Sequence, residues 1–207
     1  MDGSNFQAFI QRFAHLPKLE VLAFLAKAKS VKFKKKEVVL AAGQVCDFVI
    51  FVRKGIFRTY LLANGKEYTQ NFFAAEQYSF ATSYCSLVTR TPSEYFVEAV
   101  EDCEGYAWTG AQINAQLQLN IHWALLNKHL ADHFLLLEEQ RQVSFLKDDA
   151  ETRYLHFLDR FGAAALRIPQ IYVASYLGIT PESLSRVRKN ILEKEKNTAV
   201  AKKMSKD

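Results

Sequence analysis

Histidine is missing altogether from residues 31–108, the stretch richest in β-branched and aromatic side chains. Metal-dependent enzymes built on small β-rolls, the cupin kind, need two or three histidines and a carboxylate converging from strands onto iron, manganese or zinc. That chemistry has no ligands here. Cysteine is scarce too: Cys46, Cys85 and Cys103 are odd in number, widely spaced and without a C-x-x-C pair. They supply neither a disulfide framework nor the four thiolates of an iron-sulfur cluster, and buried or free thiols are expected. No residue stands out as a haem ligand. No Ser-His-Asp set, Cys-His pair or glycine-rich phosphate loop is visible, so an enzyme is not expected and neither a metal nor a catalytic group is assigned. His129 and His133 lie four apart without further ligands and read as a solvated or interfacial pair. No apolar run approaches the roughly 18 residues of a membrane span, and the start Met1-Asp2-Gly3-Ser4 is neither basic nor followed by an apolar core. A cytoplasmic protein with no membrane partner is the expectation.

What is present fills one large domain or two ordinary ones: 207 residues, 49% of them hydrophobic, with a formal charge of +5. That charge is not evenly spread. From Thr180 onward eight basic residues face four acidic ones, so most of the excess lies in the last segment, as a domain that meets phosphates requires.

In chain order, Phe6, Phe9, Ile10 and Phe13, then Leu19, Leu22, Ala23 and Leu25, recur at helical spacing, so two short amphipathic helices separated near Pro17 open the chain as a lid. Around Val31 the period changes to two. Strands are expected at 48–52, 56–62, 67–73, 93–99 and 103–108, with a turn at Gly55, a hairpin at Asn64-Gly65 and a looser segment over 74–91. Short strands at this spacing make a small antiparallel roll or sandwich. Thr109 and Gln112 form a capping box, and with no breaker before about Lys147 one very long helix is predicted over 109–147. Its apolar residues fall on more than one side, which a helix packed on one domain does not need, so one face is assigned to a partner copy through Leu117, Ile121, Trp123, Leu126, Leu130 and Leu137. A further helix restarts at residues 148–151 with acidic residues in its first turn, carries Tyr154, Leu155, Leu158 and Phe161 inward, and stops at 161–163.

Residues 170–189 then read as a helix-turn-helix. Ala174 is small where two helices cross, Gly178 suits the sharp turn, Thr180 is the N-cap of the second helix and Pro181 its first residue. Leu184, Val187 and Ile191 face inward, leaving Glu182, Ser183, Arg186, Lys189 and Asn190 outward.

The order of lid, roll, long helix and helix-turn-helix resembles the CRP-FNR family of bacterial transcription regulators. Its specific carriers are residues 47–55 (DFVIFVRKG) and 177–186 (LGITPESLSR). The resemblance implies an α+β chain: an antiparallel β-roll of the double-stranded β-helix, cyclic-nucleotide-binding kind with flanking helices over 1–108, a long dimerisation helix over 109–147 and a DNA-binding domain over 148–207. It implies a homodimer on double-stranded DNA at a near-palindromic site, with recognition helices in successive major grooves and RNA polymerase as a further partner. By position, Pro181, Glu182 and Arg186 are the base-reading residues: Arg186 suits guanine O6 and N7, Glu182 suits cytosine N4, and Pro181 offers only apolar contact. Thr180, Ser183, Ser185, Arg188 and Lys189 suit phosphates. The family's β-hairpin wing is not evident, because a polar, lysine-rich tail follows Ile191.

The effector side departs further. Members that bind cyclic AMP carry a Gly-Glu step for the ribose and an Arg-Ser step for the phosphate, whereas this chain reads EQYSFA at 76–81 and PSEY at 92–95. A buried phosphate needs a paired cation, each such bond contributing about 1.5 to 3 kcal/mol, and Glu94 has the wrong sign. Arg90 is the one nearby cation. Cyclic AMP is therefore expected not to bind tightly, and no cofactor is assigned. Phe72, Tyr78, Phe80, Tyr84, Arg90, Ser93 and Tyr95 are the candidate pocket lining for an apolar or aromatic effector, with an unliganded scaffold as the alternative. A dimeric effector-binding or scaffold module without DNA affinity is the alternative function.

Overall fold

The computed structural model describes residues 4–75 and 79–204, and the side chains among them except 195 and 197–204. The chain divides into two compact units, residues 1–142 and 143–207.

The first unit opens with helices α1 (Ser4–Gln11) and α2 (Lys18–Ala26). Strands β1 (Lys29–Phe33), β2 (Val38–Leu40), β3 (Phe48–Lys54), β4 (Ile56–Ala63), β5 (Lys66–Ala74) and β6 (Phe80–Ala81) follow. After helix α3 (Tyr84–Thr89) come β7 (Phe96–Ala99) and β8 (Cys103–Thr109). They form two four-stranded antiparallel sheets, ordered β1-β8-β3-β6 and β2-β7-β4-β5, which is the expected roll. The hairpin at Asn64-Gly65 is a two-residue loop, with Ala63 paired to Lys66 and φ of 51° and 71° at its two residues. Two expectations shift. The last-but-one strand starts at Phe96 rather than Ser93, because the Ser93 hydroxyl donates to Tyr95 O and accepts from Tyr95 N, closing a turn there. The segment expected to be loose holds β6 and α3, α3 ending with the Arg90 N–H on Ser86 O.

Alternation along the strands sorts the roll into two cores. Leu40, Cys46, Ile50, Val52, Phe57, Phe73, Ala81, Val97, Ala99 and Cys103 pack between the sheets. On the other face of the first sheet, Phe51, Tyr106 and Trp108 meet Phe6, Phe9, Ile10, Val21, Phe24 and Leu25 of the lid. Trp108 stacks on Phe24 at 4.8 Å between ring centroids and donates its indole N–H to Phe24 O at 3.1 Å, so its polar edge is satisfied while the whole ring is buried. On β4, the buried Arg58 pairs with Glu98 at 3.1 Å and Glu67 at 2.6 Å and lies 4.1 Å over the Tyr60 ring.

The long helix is not one helix. The predicted capping box forms, with Gln112 N on Thr109 Oγ1 at 3.2 Å and Thr109 N on Gln112 Oε1 at 2.9 Å, but α4 (Gly110–Leu119) ends at Asn120 and α5 (Ile121–Lys147) begins anew. Asn120 is extended, at φ −160° and ψ 165°. Its Oδ1 accepts from His122 N and Trp123 N, capping α5, and its Nδ2 donates to Glu20 Oε2 on α2. The Trp123 indole N–H donates to the same Glu20 oxygen, at 3.2 Å.

This packing corrects the dimer assignment. Trp123 and Leu126 are 2% and 4% exposed within their own unit, and Leu117 and Leu130 pack against the same cluster. Side chains buried against the lid have no surface left for a second copy. Leu137 is half-buried on the face of the helix that carries Leu126 and Leu130. Of the six, only Ile121 is exposed, and the helical period puts it on one stripe with the exposed Leu125, Leu135 and Leu136.

In the second unit, α6 (Ala150–Phe161) is capped by Asp149, whose carboxylate accepts from Thr152 N at 2.8 Å. A tight turn over Gly162–Leu166 leads to α7 (Gln170–Leu177) and α8 (Pro181–Met204). Tyr154, Phe157, Phe161, Val173, Ala174, Tyr176, Leu177 and Leu184 are buried in this unit, together with Ala164, Ala165 and Ile168. Leu155, expected inward, is 45% exposed: Phe157 takes the buried place two residues on, as the position facing α7 and α8.

Candidate nucleic-acid interface and effector site

The helix-turn-helix forms as its residue types require. Gly178 ends α7 in the left-handed region, at φ 67°, and a methyl group there would lie 2.9 Å from Phe145 Cε1. Ala174, fully buried, accepts at its carbonyl from Ile179 N, which closes the turn between the helices. Thr180 caps α8, its Oγ1 accepting from Ser183 N at 3.2 Å. Leu184 is wholly buried and Val187 and Ile191 are half-buried, so the opposite face carries the polar residues.

On that face Thr180, Pro181, Glu182, Ser185, Arg186, Lys189 and Asn190 are exposed and Ser183 is half-buried, while Arg188, four residues after Leu184, is half-buried beside the inward residues. Thr180 Oγ1 donates to Ser183 Oγ at 3.2 Å and Arg186 Nη2 donates to the same oxygen at 3.3 Å, so Ser183 lies between the cap and the guanidinium. The Glu182 carboxyl is held below its usual range by its own backbone N–H in the first turn, then by Thr180 and by the nearby Arg186. An ionised acceptor and a fixed guanidinium thus project from adjacent turns. Lys189 pairs loosely with Glu193 at 3.8 Å. Beyond Ile191 the polar tail continues α8 as helix to Met204, with no strand of a wing there.

The candidate effector residues do not converge. Phe73 belongs to the cluster between the sheets, so its strand neighbour Phe72 faces the other way, paired across from Arg58. Phe80 meets Phe9 at 5.1 Å and Phe51 at 5.5 Å under the lid. Tyr84 is 56% exposed, Tyr95 is half-buried, and Tyr78 lies outside the described residues. Alternation and lid packing, which spacing alone did not resolve at these aromatics, separate them. Arg90 is turned to Asp47, its Nη1 at 2.6 Å from Oδ1. Ser93 is buried and bonded to Ser83 Oγ at 2.8 Å. The Ser83 to Ser93 network was missed by the sequence reading, whose only signal was two serines flanking the expected phosphate site. Among the described residues, no three His, Cys, Asp or Glu side chains are grouped to hold a metal, and no helix is long and apolar enough to cross a membrane.

Residues 30–120 match the family model for the cyclic nucleotide-binding domain. Curated protein sequences give no match. Among solved structures, FixK2 from Bradyrhizobium japonicum aligns with a TM-score of 0.67 at 20% identity, over 81% of this chain and 86% of that one. A CooA mutant from Carboxydothermus hydrogenoformans gives 0.64 at 20% identity, over 88% and 87%. The catabolite activator protein of Thermus thermophilus gives 0.53 at 21%, over 88% and 87%. A β-roll followed by a helix-turn-helix is the fold shared with these structures along most of the chain, and residues 30–120 are similar to the cyclic nucleotide-binding domain.

Proposed function

We propose that this chain is a sequence-specific DNA-binding transcription regulator, not an enzyme, that acts as a homodimer and does not bind cyclic AMP tightly. The observation that carries the reading is the capped recognition helix, which presents Glu182 and Arg186 on its outward face at the start of a segment with eight basic and four acidic residues. Arg186 grips guanine bidentately, Glu182 accepts from cytosine, Pro181 touches apolar base edges, and Thr180, Ser183, Ser185, Arg188 and Lys189 meet phosphates. The second copy docks on the exposed stripe of Ile121, Leu125, Leu135 and Leu136, which an isolated chain leaves in water.

The test is duplex binding at several salt concentrations. Arg186→Ala should cost about 1–3 kcal/mol at one base position and relax selectivity there, while Lys189→Ala should weaken all duplexes alike and lower the salt slope by about one unit. One observation favours a second reading, a dimeric module without DNA affinity: α8 continues as a single helix to Met204 in place of a wing. Absence of duplex affinity even at low salt would select it.

A further inference from the structure

The segment in which the family resemblance implies a phosphate site is closed here by the chain's own side chains. Ser83 and Ser93 are 5% and 4% exposed. Ser93 Oγ donates to Tyr95 O at 2.8 Å and accepts from Tyr95 N at 3.0 Å and from Ser83 Oγ at 2.8 Å. A hydroxyl has one proton and two lone pairs, so Ser93 has nothing left to offer an anion. Ser86, also buried, is used in the same way: it donates to Thr91 O at 2.6 Å and accepts from Cys46 N at 2.9 Å. Arg90 closes the segment. It ends α3 in the left-handed region at φ 59°, which is unusual for a residue with a Cβ, and that conformation leads the chain into the Thr91 turn while its guanidinium meets Asp47.

The ion pair also touches the helix that leaves the roll. Gly110 is the first residue of α4 and is buried. A Cβ on it would lie 2.9 Å from Asp47 Oδ1 and 3.1 and 3.2 Å from Arg90 Nη2 and Nη1, so a side chain there would push the ends of the pair aside. Gly110 N donates to Asp47 O at 3.3 Å. Asp47 therefore joins the α3 segment to the start of α4.

The geometry points to a built-in ligand: Asp47 supplies the anion that Arg90 would otherwise take from an effector, Ser83 fills the last bonding position of Ser93, and the closed segment fixes the start of α4 with no small molecule. This rests on the proposed regulator reading of the roll as an effector domain, and its test involves no DNA, so it stands or falls apart from that reading. The pair is half-exposed, 47% and 56% at its two side chains, which makes it a weak and reversible latch that one substitution opens.

Amide hydrogen exchange on the full chain reads the latch at Gly110 and Arg90. Asp47→Asn should speed exchange there by about two- to five-fold, the range a pair of this exposure supplies. Inorganic phosphate should slow it again by pairing with the freed guanidinium, and should not do so in Arg90→Gln. Asp102→Asn, which breaks the more exposed pair to Lys34 elsewhere on the roll, should leave Gly110 unchanged. Cyclic AMP at millimolar concentration should leave the wild type unchanged. The proposal is overturned if Asp47→Asn exchanges as the wild type does, if phosphate fails to slow it, or if cyclic AMP slows exchange at Gly110 in the wild type.

Discussion

A methyl group at position 178 meets two obstacles at once, a backbone at φ 67° and the Phe145 ring 2.9 Å away. The left-handed conformation alone costs a Cβ-bearing residue about 1–2 kcal/mol, so Gly178→Ala should lower the stability of the second unit by at least that much in a denaturant titration. An unchanged midpoint would mean that the turn does not depend on this cap. The thiols give a second check. Burial pushes the Cys103 thiol up to about 12, and Cys46 is buried as well, whereas Cys85 is exposed. Thiol and not thiolate is then the form of Cys103 at neutral pH, so a disulfide reagent should titrate one group of three in the native chain and all three after unfolding. These residues were legible early: Gly178, Thr180 and Leu184 follow from local chemistry, since a turn, a cap and an inward face each depend on near neighbours only.

The helix break at Asn120 belongs to a different level. Asparagine is no breaker by itself, and nothing within 109–147 marks it, because half of its reward is Glu20 on α2, a hundred residues earlier in the chain. Asn120→Ala removes the cap from His122 and Trp123 together with that bond, and should cost about 0.5–2 kcal/mol in thermal unfolding while leaving the strands in place. The same non-local cause misled the assignment of the partner face. Apolar residues on two sides of a helix show that two surfaces exist, but which one the lid covers is decided by Phe24, which meets the Trp123 ring at 5.0 Å. Phe72 and Phe80 were misplaced for a related reason: an aromatic in a roll fits either core, and the pleat decides. The capping box, the hairpin and the strand pattern needed no such help.

For the whole molecule, the proposed dimer rests on the exposed stripe of α5. Leu135 and Leu136 are 69% and 56% exposed, so replacing both by glutamate costs the isolated chain little, and it should split the dimer as read by light scattering. A wild type that already scatters as a single chain would remove the dimer from the account. The two-fold arrangement matters because one helix carrying Glu182 and Arg186 reads few bases, and a second copy doubles the site.

The central claim, two copies reading DNA through α8, is tested most directly by selecting bound duplexes from a random pool with the purified full chain. A near-palindromic consensus with a guanine in each half-site, lost at that position in Arg186→Ala, is the predicted result. Recovery of no consensus, or of one unaffected by Arg186→Ala, would contradict it.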